Sequence, residues 1–225
     1  IDKYKESFKD IRIGNFISRI FLVTLEYRFG FILFLKVIFP SILVMIICTA
    51  VIYKTDKNIS LILCMCMLSM FILSYYGSKK ISTSKINQEE IYYNDFDNLI
   101  NKYNNLLNSY INNEVVNDKK ILGTQQKGYS RVMLNADNEM NINTTILRGN
   151  LVIFLFAIIV YTYYMKGKMN KSSIGVLGII LIYFITNYLN YSTESSTFFS
   201  NLGISLGSYN FLNNLLQKKY HGHIK

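Results

Sequence analysis

The sequence has few of the residues that stapled, catalytic or freely soluble domains depend on. Of 225 residues, three are cysteine, two are histidine and 17% are charged. The three cysteines (Cys48, Cys64 and Cys66) lie inside apolar runs, which excludes a disulfide-stapled secreted module. His221 and His223 both lie in the tail, so no Ser–His–Asp or Cys–His catalytic set is predicted. The 51% hydrophobic content excludes intrinsic disorder.

The sequence is rich instead in long apolar runs, and its mean hydropathy is positive. A bilayer-spanning helix needs about 20 mostly apolar residues. Tyrosines cluster at the ends of these runs, which is typical of membrane interfaces. We therefore predict four membrane spans, at residues 29–53, 59–76, 151–165 and 174–191. Four buried helices of a soluble bundle are the less favoured interpretation, because such helices carry polar stripes.

The spacing of the runs predicts how the spans are connected. Short connections at 54–58 and 166–173 make each pair of spans an antiparallel hairpin, and the polar segment 77–150 separates the two pairs. Within this segment, apolar residues recur at alternating spacings of four and three, the rhythm of a helix with one apolar seam. We predict an intracellular helical hairpin there, with helix over 79–112. Residues 1–28 are predicted as a helix leading into the first span, and 192–225 as a cytosolic helical tail.

The predicted fold class is therefore all-α, a multi-pass membrane helical bundle with long intracellular helical extensions. The net charge of +10 could suggest nucleic acid, but the basic residues are scattered among the acids and at the ends of apolar runs. We predict the lipid bilayer as a partner and no nucleic acid. The short connections hold five of the 24 lysines and arginines, so charge does not decide the orientation. The architecture favours placing the extensions inside.

Three segments resemble the type I transmembrane domain of ABC exporters. Residues 13–20 (IGNFISRI) are similar to the glycine-then-Ser-Arg segment that opens the third helix of that family. Residues 105–116 (NLLNSYINNEVV) stand where the family has its second coupling helix. Residues 168–177 (KMNKSSIGVL) resemble the basic, glycine-containing loop before the sixth helix. The resemblance covers nearly the whole chain, from the end of the first intracellular loop through the sixth helix.

The resemblance implies the membrane-spanning domain of an exporter, which forms the translocation path and couples it to ATP hydrolysis on a separate segment or chain. The implied partners are a nucleotide-binding domain, which holds ATP and Mg, and a second transmembrane half, identical or different. The residues implied to couple to the ATPase domain are Leu107, Asn108, Ser109, Tyr110, Ile111 and Asn112. The sequence departs from the family pattern, since it contains neither the first two helices nor a G-x-x-x-x-G-K-[ST] loop. We therefore expect no enzyme activity and no cofactor on this chain itself.

Four polar residues within the runs are candidates for the translocation path: Lys36, Tyr183, Asn187 and Asn190. Lys36 could meet substrate in a polar cavity, but snorkelling toward the interface is favoured. Pro40, one turn later, predicts a bend in the first span. The asparagines could line a path or could equally form interhelical hydrogen bonds.

The other reactive residue types have simpler interpretations. The acids Glu89, Glu90, Asp95 and Asp97 are predicted on a solvated helix face. We predict no catalytic residue and no metal site. A four-pass membrane scaffold without transport activity remains an alternative function, and a channel-like protein is a third.

Overall fold

The computed structural model describes residues 13–104, 115–165 and 171–221. Every one of these residues is helical except Asp56, which confirms the all-α prediction for the described part of the chain. The helices are α1 (Ile13–Leu33), a π-helical turn (Phe34–Ile38), α2 (Phe39–Thr55), α3 (Lys57–Asn104), α4 (Val115–Met165) and α5 (Lys171–His221).

The apolar runs lie within helices that are long and apolar enough to cross a membrane. Among the described residues there are four such stretches, at Ile17–Thr55, Lys57–Tyr92, Gln126–Met165 and Ile174–Asn213. Each contains one of the runs recognised in the sequence. The described residues therefore fit a multi-pass membrane protein.

Proline and aspartate mark the two irregular points of the first helical hairpin. Pro40 has no N–H to donate, and just before it the Phe39 N–H bonds to the Phe34 carbonyl, one residue farther back than in an α-helix. Asp56 separates α2 from α3, because its extended backbone ends α2. Its carboxylate then accepts the N–H groups of Asn58 and Ile59, at 2.9 and 3.2 Å, and so caps α3.

The helices α3, α4 and α5 are much longer than a membrane span. They contain 48, 51 and 51 residues. At 1.5 Å per residue these lengths are about 72–77 Å, against about 30 Å for the hydrocarbon core of a bilayer. The predicted helix over 79–112 is present as far as Asn104, and the rest of it lies outside the described residues.

The chain divides into two compact units. One, which we call the apolar unit, comprises Gly30–Ile81 and Glu139–Ser200. Its core is formed by buried side chains from α2, α3, α4 and α5, among them Met45, Ile52, Ile59, Leu63, Met70, Leu147, Leu151, Ile158, Phe184 and Tyr188.

The other, which we call the polar unit, comprises Ile1–Phe29, Ser82–Asn138 and Asn201–Lys225. In its described part, α5 packs closely on α3 through glycine. A Cβ added at Gly203 would lie 3.0 Å from both the Cα and the carbonyl oxygen of Ser82, so only glycine lets the two backbones approach this closely. The buried Arg19 of α1 stacks on Phe211 of α5, with its guanidinium carbon 3.0 Å from the ring centroid. Lys85 of α3, also buried, pairs with Asp137 of α4 at 3.0 Å.

Candidate translocation face

The path residues predicted on α5 lie on the side of the helix that faces away from the core of the apolar unit. Tyr183 is 61% exposed, Asn190 is exposed and Asn187 is half-buried. The Asn187 side-chain amide donates to the Tyr183 carbonyl one turn earlier, at 2.8 Å, which keeps it along its own helix. Among the described residues, the Asn187 side chain makes this hydrogen bond within α5 and none to another helix.

These residues belong to a longer polar stripe, which we define as Tyr183, Asn187, Asn190, Glu194 and Thr197. The spacing alternates between four and three residues, so all five share one face of α5. None of the five is buried. The sequence analysis recognised the first three, and the last two extend the stripe toward the end of the apolar unit.

The neighbouring face of α5, about 100° around the helix axis from the stripe, is buried. Phe184, Tyr188, Tyr191 and Ser195 repeat the same spacing one residue out of step with the stripe, and each is at most 5% exposed. The rotation of α5 about its axis therefore decides which polar residues are accessible.

A hydrogen-bonded chain across three helices fixes this rotation. Ser69 of α3 donates to the side-chain oxygen of Asn150 in α4 at 3.0 Å, and the Asn150 amide donates to the Tyr188 hydroxyl of α5 at 2.8 Å. The Tyr188 hydroxyl donates in turn to the Leu147 carbonyl at 3.0 Å. The chain thus supplies partners to the buried Tyr188 hydroxyl and to the half-buried Ser69 and Asn150 side chains, as an apolar environment requires.

Two further hydrogen bonds, farther along the helices, also fix the rotation of α5. The Tyr191 hydroxyl donates to Ser74 of α3 at 3.0 Å. The Asn143 amide of α4 donates to Ser196 of α5 at 2.8 Å, and the same asparagine fills the space beside Gly77, where a Cβ would collide with it. These bonds hold the stripe away from the core of the apolar unit.

Lys36 is not brought to the stripe by any contact among the described residues. It lies in the π-helical turn, and its side chain is exposed. The neighbouring Phe34 ring lies 5.9 Å from the Phe198 ring of α5, so the turn packs on α5 next to Thr197. The predicted coupling residues, Leu107 to Asn112, lie outside the described residues.

Sequence reasoning missed the residues that orient the stripe. Asn143, Asn150, Tyr188 and Ser196 were not singled out as contacts. A signal was present, because Tyr188, Ser192 and Ser196 recur every four residues along one face of α5. Such a polar series within and just beyond an apolar run is typical of helix–helix contacts in membranes.

Two comparisons with known proteins found no relative of this chain. No protein-family model matches the chain, and no curated protein matches it.

Proposed function

We propose that this chain is the membrane-spanning domain of an ABC-type exporter, which works with a second transmembrane half and with ATP-binding domains on a separate segment or chain. The polar stripe on α5 lines the translocation path, facing the second half across it. The single observation that carries this proposal is the stripe itself.

The physical argument starts from the cost of polar groups in lipid. Asparagine and tyrosine side chains inside a membrane segment face the bundle interior or a water-filled cavity, because lipid offers them no hydrogen-bond partner. The interior of the apolar unit is already filled by the buried face of α5, which carries Phe184 and Tyr188. Tyr183 and Asn190 therefore need either a water-filled path or a second protein surface, and an exporter built of two halves supplies both.

The lengths of α3, α4 and α5 support the coupling part of the proposal. Each helix has about 40 Å beyond what a bilayer covers. If the four stretches cross the membrane in turn, residues 105–114 lie on the opposite side from Asp56. That side is where the family resemblance puts the coupling helix, so the helices would carry motion from the ATPase domains to the stripe.

Cysteine accessibility tests the path. In a variant with Cys48, Cys64 and Cys66 replaced by alanine, Tyr183→Cys, Asn187→Cys and Asn190→Cys should react with a membrane-impermeant thiol reagent. Ile182→Cys is the matched control, because Ile182 is 64% exposed at the same depth but lies outside the stripe. We expect the stripe positions to react and Ile182→Cys to stay unlabelled, since lipid covers it.

ATP dependence separates an exporter from the scaffold and channel alternatives. Accessibility at the stripe should change when ATP and Mg are added to membranes that contain the ATP-binding partner. Reactivity that never responds to ATP would argue for a channel, and no reactivity at any stripe position would argue for a scaffold.

Crosslinking tests the coupling contact directly. In the same cysteine-free background, Ser109→Cys should crosslink to a protein that is also labelled by azido-ATP. Thr55→Cys, on the opposite side in this topology, serves as the control and should not. Equal crosslinking from both positions would contradict the proposed side for the ATPase contact.

A further inference from the structure

A groove runs between the first two apolar helices, within the apolar unit. Its volume is about 570 Å³, which is within the usual range for ligand pockets. The lining residues come from α2 and α3 alone: Ile46, Thr49, Ala50, Tyr53, Ser60, Cys64, Met67, Leu68 and Phe71. The groove is open along its side, because Ile46, Cys64 and Leu68 are exposed.

The length of the groove matches one leaflet of a bilayer. On α3 it extends from Ser60, next to the turn at Asp56, to Phe71. This distance along the helix is about 16 Å at 1.5 Å per residue, and half of the hydrocarbon core of a bilayer is about 15 Å. The groove therefore reaches from the membrane interface to the middle of the membrane.

The walls of the groove offer a ligand almost no polar atom. The hydroxyls of Thr49 and Ser60 are already used, since Thr49 donates to the Met45 carbonyl at 2.8 Å and Ser60 donates to the Thr49 carbonyl at 3.0 Å. The third hydroxyl belongs to Tyr53, which is exposed and lines the end of the groove nearest the turn at Asp56. The one thiol among the lining residues, Cys64, behaves as a small hydrophobic group. An occupant of the groove is consequently apolar along its length.

The mouth of the groove is basic. Lys54 and Lys57 flank the turn at Asp56, and both are exposed. The Lys57 ammonium lies 5.7 Å from the ring centroid of Tyr53, which lines the groove. Asp56, the acid between the lysines, is engaged elsewhere: it caps α3 and receives the Tyr161 hydroxyl at 3.3 Å. Positive charge at the interface and an apolar slot below it are complementary to an anionic phospholipid.

We propose that the groove binds one acyl chain of an anionic phospholipid, whose phosphate lies against Lys54 and Lys57. This inference rests on the helices crossing a bilayer and is independent of the exporter proposal. The protein is thus selective for the headgroup charge of the lipid at this position.

Photolabelling tests the inference. The full chain is reconstituted in phosphatidylcholine vesicles with a trace of either phosphatidylglycerol or phosphatidylcholine that carries a diazirine on its acyl chain. We expect phosphatidylglycerol to label peptides containing residues 46–53 and 60–71, and the phosphatidylcholine probe to label them far less.

Charge variants show whether the mouth is responsible. Lys54→Gln combined with Lys57→Gln should reduce phosphatidylglycerol labelling by about 25-fold, since each lysine near a membrane surface contributes roughly a factor of five toward anionic lipid. Lys79→Gln combined with Lys80→Gln, a matched pair of exposed lysines on α3 outside the groove, should leave the labelling unchanged. Equal labelling by the two lipids, or equal loss in both double variants, would overturn the inference.

A second variant tests the slot separately from the charge. Ala50→Phe fills the groove but keeps both lysines. We therefore expect the lipid probe no longer to label residues 60–71, while the elution volume of the folded chain stays unchanged.

Cys64 provides the last check, because it is the exposed one of the three cysteines. A crosslink from Cys64 to a second copy of the chain, in place of the lipid, would show that protein fills the groove and would contradict the proposal. None of these results depends on coupling to ATP, so failure of the exporter proposal would leave them unchanged.

Discussion

The apolar and polar units hold their helices together by different chemistry. In the apolar unit, the buried Tyr188 is joined to its neighbours by neutral hydrogen bonds through Ser69 and Asn150. Its charged contacts between helices, from Arg148 to Thr193 and from Tyr161 to Asp56, involve side chains that are not fully buried. In the described part of the polar unit, a buried lysine pairs with Asp137 and a buried arginine stacks on Phe211. The difference follows from the cost of desolvation. An ion is far more expensive than an amide to remove from water, so we expect helices that are apolar enough to cross lipid to use amides and hydroxyls for their buried contacts.

The largest loss of stability should come from removing the ion-pair partner of the buried lysine in the polar unit. Asp137→Leu leaves the Lys85 ammonium, whose side chain is 8% exposed, with the Gln88 oxygen at 3.1 Å as its one remaining partner among the described residues. Breaking a buried pair costs about 3–5 kcal/mol, and because Asp137 is half-exposed we expect the loss of unfolding free energy at the lower end, about 3 kcal/mol. An SDS titration of the full chain in mixed micelles measures it. Lys85→Met is the control and should cost less than about 1 kcal/mol, because the remaining carboxylate reaches water. Equal losses of unfolding free energy in Asp137→Leu and Lys85→Met would show that the buried charge is not responsible.

The next effect tests the close helix contact of the polar unit. Gly203→Ala forces a Cβ to within 2.9 Å of the Lys85 Cβ and 3.0 Å of the Ser82 backbone. We expect a loss of about 2 kcal/mol in the free energy of unfolding, as for other overpacked positions. Gly128→Ala, in the same unit with no atom near the new Cβ, should instead stabilise by about 1 kcal/mol through helix propensity. The same titration compares them, and a loss at both positions would show that the contact at Ser82 is not responsible.

A smaller effect is expected from the neutral network of the apolar unit. Asn150→Leu should cost about 1 kcal/mol, because hydrogen bonds between membrane helices contribute little more than this. A double-mutant cycle with Tyr188→Phe should give a coupling of roughly 0.6 kcal/mol. Asn190→Leu, the same substitution on the exposed stripe, should leave the unfolding free energy nearly unchanged. A loss at Asn190 as large as that at Asn150 would mean that the stripe is part of the intrachain packing.

The smallest effect on stability should come from the exposed tyrosine. Tyr183→Phe removes a hydroxyl from the stripe, and we expect a change within about 0.5 kcal/mol. Tyr188→Phe removes the same atom from the buried face and should destabilise measurably, since Asn150 loses its acceptor. If the proposed function holds, only Tyr183→Phe alters the thiol reactivity of Asn187→Cys in the presence of ATP.

Much of the helical framework follows from local sequence. The apolar runs predicted helices that could cross a membrane, because length and hydrophobicity alone make such a segment stable in lipid. Asp56 and Pro40 likewise act on their own neighbours, so a break and an irregular turn near them were predictable. The all-α class and the four long apolar helices needed no knowledge of which helix packs on which.

The orientation of α5 was not predictable in the same way. Tyr183 and Tyr188 lie five residues apart in one apolar run, yet one is 61% exposed and the other is fully buried. Which of the two tyrosines is buried depends on Asn150 and Leu147 in another helix, about 40 positions earlier in the chain. Polar residues occur on more than one face of this run, with Asn187 on one face and Tyr188 on another, so the periodic signal does not show which face turns inward.

Local sequence is enough to specify long helices with apolar stretches, because backbone hydrogen bonding and transfer to lipid act within each segment. Tertiary structure alone decided which polar residues pair and which remain accessible. Hydrogen bonds between Asn150 and Tyr188, or between Asn143 and Ser196, exist only after the helices dock at one rotation. The physical reason is that a buried donor must find its acceptor on a different helix, and no local pattern specifies that partner.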